Sequence, residues 1–415
     1  MVFALAVAAC TTATPSTTEP PDTTAAATTT EAATTTSQLD AADFDTQIDL
    51  ADVPGRIVVS GDAAYVVDAA GDGRIEIPDA AGPSQPTWSP DGSTIAFSAF
   101  ADGSPVVGLA RPGAESSFVA APYLPFYFHW SPDGSQLAFL GNGPSGFVEL
   151  GLLDAAASSA KSVDIGTPYY FDWSPDSDRL FSHAGAGNTR LVLVAGEVQD
   201  VDDNAGLYQA PQWVDGGVVQ LITVPTSISA RGLRLARQGS DQAIVVGPPA
   251  GEFERLVSIE TLGAFDYNGQ DLAFTDTASP TPIIRGPLKV VSDGEIIAVT
   301  NEPVIAFEWS PDGRRLLFLE VAGSGATPEA RWVVWERGQH VAFDTMTPSL
   351  ASLGSYFPFW DQYARSLTLW SPDGQAFVYS ALDTSTGTSS VFVQPVQAGA
   401  TPQVLGTGDW ASWSN

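Results

Sequence analysis

The 415-residue chain has one cysteine, Cys10, so no disulfide forms within it and no cysteine-based zinc site can be built. Basic side chains are scarce too. Only 17 Lys and Arg stand against 48 Asp and Glu, the lysines being Lys161 and Lys289, and the formal net charge is -31. So acidic a surface repels phosphate backbones, whose binding needs clustered Lys and Arg, and nucleic acid is excluded as a partner. The acid is spread along the chain, as on a solvated surface. The apolar run at residues 2–9 is far too short to span a bilayer, and no long helical period appears. Also missing are a Gly-x-Ser-x-Gly elbow, a His-Glu-x-x-His pair and a phosphate-binding Gly loop, which removes the common hydrolase, zinc-protease and nucleotide-binding signatures.

What the chain does have is a repeat. Trp-Ser-Pro-Asp-Gly begins at Trp88, Trp130, Trp309 and Trp370, and Trp-Ser-Pro-Asp-Ser at Trp173. Trp88 to Trp130 is 42 residues and Trp130 to Trp173 is 43, a period that suits one four-stranded unit per copy. Ser, Pro, Asp and Gly in that order describe a type I turn, with φ set by Pro and backbone bonded by Asp. Short apolar runs follow each turn, as in Ile95-Ala96-Phe97 and Leu316-Leu317-Phe318-Leu319, and read as strands. Weaker copies stand at Trp213 and at Tyr267.

The turn followed by Leu-Ala-Phe resembles the TolB-like, WD-repeat-like β-propeller repeat, over residues 56–415. The resemblance implies an all-β fold, a single β-propeller of four-stranded blades. Blades beginning at Trp88, Trp130, Trp173, Trp213, Tyr267, Trp309 and Trp370, plus one shared by the termini, give eight; seven is the alternative. The shared blade joins residues 56–77 to the final run from Trp410, which carries a strand and the opening of a tag with no unit behind it. Pairing those ends would hide the edge strands of the ring. Propeller peptidases place a hydrolase domain beside the ring, and here the repeats run to Asn415.

Residues 1–10 end in Val7-Ala8-Ala9-Cys10 and resemble the end of a bacterial lipoprotein signal peptide, in which the Cys is cleaved and lipidated. Basic residues that normally open such a peptide are missing, as an upstream start would explain. Residues 11–55, rich in Thr, Ala and Pro in their first part, form a flexible linker. The expectation is an extracytoplasmic protein held to the membrane by lipid on Cys10.

Two constellations remain as candidate sites. The residue before each tag aromatic is Thr87, His129, Asp172, Gln212, Asp266, Glu308, Leu369 and Ser412. Equivalent positions on a ring converge on its axis, so His129, Asp172, Asp266 and Glu308 could hold a divalent cation or act as acid and base; the plainer alternative is that each caps a neighbouring strand. Tyr123, Phe126, Tyr169, Tyr356, Phe359, Trp360 and Tyr363 lie on connections of one type and so on one face. They form either an aromatic platform for an envelope protein or glycan, or strand core. A binding or scaffold module at the cell envelope is the expected function, with a hydrolase or lyase at the channel mouth as the alternative.

Overall fold

The computed structural model describes residues 43–414 except 81, 83–84, 155–158, 186, 203–209, 224–241, 260–263, 277–282 and 324–328. Cys10 and its linker as far as residue 42 lie outside the described residues. The strands form seven antiparallel sheets: five of four strands, one of seven and one of three.

Four sheets follow the tag beat, each opening on a strand that carries or leads into a tag aromatic. These lead strands are Thr87–Trp88, Pro125–Trp130, Tyr169–Trp173 and Gln212–Val214. The fifth four-stranded sheet unites the chain ends. Its strands Ile57–Ser60, Ala64–Val67 and Ile75–Glu76 are joined by Trp410–Trp413, with Ile57 opposite Trp413 and Ser60 opposite Trp410. In the seven-stranded sheet, the 15-residue strand Glu295–Trp309 pairs first with Arg285–Ser292 and then, from Val304 onward, with Leu316–Val321. The three-stranded sheet begins at Ala376–Asp383, and Trp370 bridges to its Phe377.

The tag chemistry accounts for the turns. In the first copy the Ser89 hydroxyl donates to Asp91 Oδ1 (2.6 Å) and accepts from Thr94 N (3.0 Å), while Gly92 N donates to Ser89 O (2.8 Å). The copies at Ser131, Ser310 and Ser371 repeat this pattern. The fourth turn position needs φ near +65°, which glycine adopts freely; Ser177, in the variant copy, adopts φ 62° there.

The tag tryptophan fastens one sheet to the next. Trp130 Nε1 donates to Thr87 O (3.3 Å), Trp173 Nε1 to His129 O (3.0 Å) and Trp309 Nε1 to Asp266 O (3.1 Å). Trp370 reaches Glu308 O (3.4 Å), and Trp88 reaches Ser412 O (3.3 Å) on the last strand of the chain. Each indole thus bonds the residue just before the previous tag aromatic, and the lead strands lie side by side. Second strands are buried on both faces, as in Leu316–Leu319 at 0–2% exposure, because each sheet packs between two others.

Candidate functional site

The lead strands surround a segment that the repeat does not contain. Between Gln339–Met346 and Ala376–Asp383 the chain makes a π turn at Ser352–Tyr356, a 3-10 turn at Phe357–Phe359 and one α turn at Trp360–Tyr363. This plug enters the space enclosed by the lead strands. Gln362 Nε2 donates to Phe171 O (2.8 Å) and to the Tyr127 hydroxyl (2.8 Å), while its Oε1 accepts from Phe171 N (2.7 Å). A side-chain amide there does what a neighbouring strand would do, satisfying the inner edge of Tyr169–Trp173. Asp361 accepts from Ala210 N (2.8 Å), and the Tyr363 hydroxyl donates to Phe126 O (3.0 Å). Trp360 packs on Phe307 with ring centres 4.5 Å apart, and Tyr356 lies against Trp410.

The polar residues preceding the tag aromatics face the plug from its tag side. Arg365 donates to Asp266 Oδ1 (3.0 Å), whose Oδ2 accepts from Trp309 N (2.9 Å). Asp172 accepts from Trp173 N (2.9 Å) and Trp213 N (2.6 Å), and Gln212 Oε1 accepts from Tyr267 N (2.9 Å). Asp172, Gln212 and Asp266 therefore cap backbone on the next lead strand, as the plainer reading of these positions expected. Burial pushes Glu308 up to about 8, helped by neighbouring Asp266. Burial also raises Asp172 to about 6 against the pull of Arg365, and lowers His129 to about 3. The 3.8 Å approach of His129 Nδ1 to Asp172 Oδ1 is thus a neutral imidazole beside a carboxylate, too long for a hydrogen bond.

The cation among the four residues put forward for a metal is the chain's own Arg365, which pairs with Asp266 and whose charge acts on His129, Asp172 and Glu308. Among the described residues no group of three or more His, Cys, Asp or Glu is placed to hold a metal ion.

The aromatic constellation divides between the two alternatives of core and exposed platform. Trp360 (1% exposed), Tyr356 and Tyr363 fill the centre of the molecule, and Tyr123 packs against Phe139 in a sheet core. Phe359 is exposed (47%). With Phe126, Tyr169, Tyr170 and the edge of Tyr363 it lines a cleft of about 430 Å³ between the plug and two lead strands. The cleft lies at the strand starts, on the side away from the tags. Among the described residues its lining holds no Asp, Glu, Lys, Arg or His, in a chain of net charge -31. Sequence reasoning missed the plug and, with it, Arg365 and Gln362. The Tyr356 to Tyr363 aromatics were its visible trace.

Sheets in series, lead strands gathered around one axis and chain ends joined in one sheet define the class. The fold is an all-β propeller, as the tag repeat implied. No protein-family model and no curated protein matches the chain. Among solved structures it is similar to dihydro-heme d1 dehydrogenase NirN, at 13% identity over 86% of this chain and 74% of that one, with a TM-score of 0.52. A eukaryotic initiation factor is similar at 10% identity, over 86% of this chain and 98% of that one, with a TM-score of 0.51. The β-propeller domain of the Trilobed protease from Pyrococcus furiosus is similar at 13% identity, over 78% and 96%, with a TM-score of 0.48. At these identities the likeness is one of fold.

Proposed function

We propose that this propeller is a binding or scaffold module at the bacterial cell envelope, and that its partner, a protein or a glycan, docks on the plug side. The uncharged aromatic cleft carries the reading. Aromatic faces with a few amides and hydroxyls, which make up the described lining, suit sugar rings or apolar side chains. Exposed Leu124, Phe147 and Leu350 stand on connections that open on the same side, as the strand directions require, and exposed Phe100 lies near the end of strand Ile95–Ala101 on that side. The alternative of a hydrolase or lyase at the channel mouth has less support, because Asp172 and Asp266 there are occupied with capping and with Arg365.

Two finer features belong to the same proposal. The ring has eight blades, a count supported by the strand Glu295–Trp309 serving two units of the seven-stranded sheet, and it is closed by the pairing of Trp410–Trp413 with Ile57–Ser60. The chain is anchored by lipid on Cys10, so Cys10→Ser should move it from the detergent phase to the aqueous phase.

The cleft is tested by capture from the native envelope and by titration with neutral oligosaccharides. Phe359→Ala should weaken binding about tenfold or more, the loss of an interface anchor, with the melting temperature nearly intact because the side chain is exposed. Binding unchanged by that substitution would place the partner elsewhere.

A further inference from the structure

The plug-side cleft carries uncommitted polar groups on separate walls. Gln85 stands just ahead of the lead strand Thr87–Trp88, Asn142 ends the strand Gln136–Asn142, and Ser355 belongs to the plug. The Tyr363 hydroxyl donates to Gln85 Oε1 (3.0 Å) and so fixes that amide at the cleft edge, while Gln85 Nε2 has no hydrogen-bond partner among the described residues. The same holds for the Asn142 amide and the Ser355 hydroxyl. Asn142 is exposed, and Gln85 and Ser355 are half-buried, so solvent reaches each of these residues. Carbon faces lie between them. Phe359 is exposed, Phe126 and Tyr170 are half-buried, Leu140 shares a sheet face with Asn142, and Val148 pairs with it.

This lining discriminates between occupants. An apolar side chain filling the cleft would cover those amides and that hydroxyl unpaired, and each group so stranded costs about as much as burying one such side chain gains. An extended peptide finds no open strand edge, because Gln362 takes both backbone groups of Phe171 and Tyr363 takes Phe126 O. A charged group entering the cleft would lose its water and gain no counter-ion from the described lining. A neutral sugar meets none of these penalties. Its ring lays a C–H face on an aromatic face, and its hydroxyls radiate from the rim toward several walls at once.

We propose that the cleft binds a short neutral glycan, with one ring stacked on Phe359 and its hydroxyl or acetamido groups on the Asn142 and Gln85 amides and the Ser355 hydroxyl. The volume of about 430 Å³ admits roughly two sugar rings, so recognition covers a disaccharide unit of a longer chain. The proposal rests on the plug-side cleft being the docking surface, and it narrows the partner there from a protein or a glycan to a neutral glycan.

Calorimetry on the full chain tests it, with cellotriose, maltotriose and triacetylchitotriose as neutral probes and trigalacturonate as the charged one. At least one neutral probe should bind with a Kd of about 1 mM or tighter, and trigalacturonate at least about tenfold more weakly. Asn142→Ala combined with Ser355→Ala should weaken the neutral sugar about tenfold or more. No binding by any neutral probe, equal or tighter binding of trigalacturonate, or binding untouched by the double substitution overturns the proposal. Should the double variant fail to fold, magnetic resonance on the parent chain decides the same question: the side-chain amide signals of Asn142 and Gln85 must shift on saturation with the sugar, and unmoved signals overturn the assignment. An envelope protein captured by the parent and lost in Phe359→Ala, with no sugar bound, would overturn the glycan and keep the cleft as the docking surface. Capture and sugar binding both indifferent to Phe359→Ala would remove the cleft itself.

Discussion

Single residues in this chain serve two neighbours at once. The tag tryptophan closes its own unit and bonds the preceding lead strand, and the acidic residue before it caps the following one. Such placement costs Glu308 its charge. In the fold it stays protonated up to about pH 8, whereas the unfolded chain releases that proton near 4.5, so stability falls as pH rises between these values. Asp172 contributes in the same sense between 3.8 and about 6. His129 acts oppositely: it stays neutral down to about 3 while the unfolded chain takes a proton near 6.5, so stability is lost as pH falls below 6.5. Glu308→Gln should therefore flatten the decline of melting temperature toward pH 8 and raise the value there above that of the parent. Melting curves at intervals from pH 5 to 9 check this, and parallel curves for the two proteins would show that Glu308 does not titrate as argued. The tags were fully legible in the sequence because turn chemistry is local; that Glu308 comes under the charge of Arg365 was not, since 57 residues of chain and two sheets' geometry separate them.

At the scale of elements, the plug stands apart from the repeat. A run with Pro358 and five large aromatics from Tyr356 to Tyr363 has no helical apolar period, and sequence reasoning leaves it between surface platform and strand core. Its short turns exist because the surrounding strands supply partners, a tertiary effect that local propensity does not encode. The lead strands, by contrast, were legible down to the degenerate units at Trp213 and Tyr267, since each still precedes a turn and an apolar run. Gln362→Leu should test how much the plug contributes. It strands the N–H and C=O of Phe171 in a buried place, at about 1–3 kcal/mol for each group left unpaired, while the Tyr127 hydroxyl keeps its bond to the backbone carbonyl of residue 362. Chemical denaturation should show a loss of several kcal/mol, of order 2–5, and a variant as stable as the parent would mean that water replaces the amide without penalty.

For the whole molecule, the decisive contact is between its two ends. Trp410–Trp413 pairs with Ile57–Ser60, Trp413 Nε1 donates to Pro54 O (2.9 Å), and Trp88 bonds Ser412 O. A chain ending at Gly408 should aggregate or lose its single cooperative melt, because Ile57–Ser60 would present an open edge. Differential scanning calorimetry with light scattering decides it, and a truncated protein that melts as the parent does would refute a role for this pairing in stability. The plug adds a consequence in time. Gln362 is made 235 residues after Tyr127 and 191 after Phe171, the groups it satisfies. At synthesis rates of about 5–20 residues per second, the inner edges of those early strands wait roughly 10–50 s for their partner. For that interval the nascent chain carries bare strand edges toward its own future centre, so its safe passage depends on whatever keeps a half-made ring from pairing with a stranger.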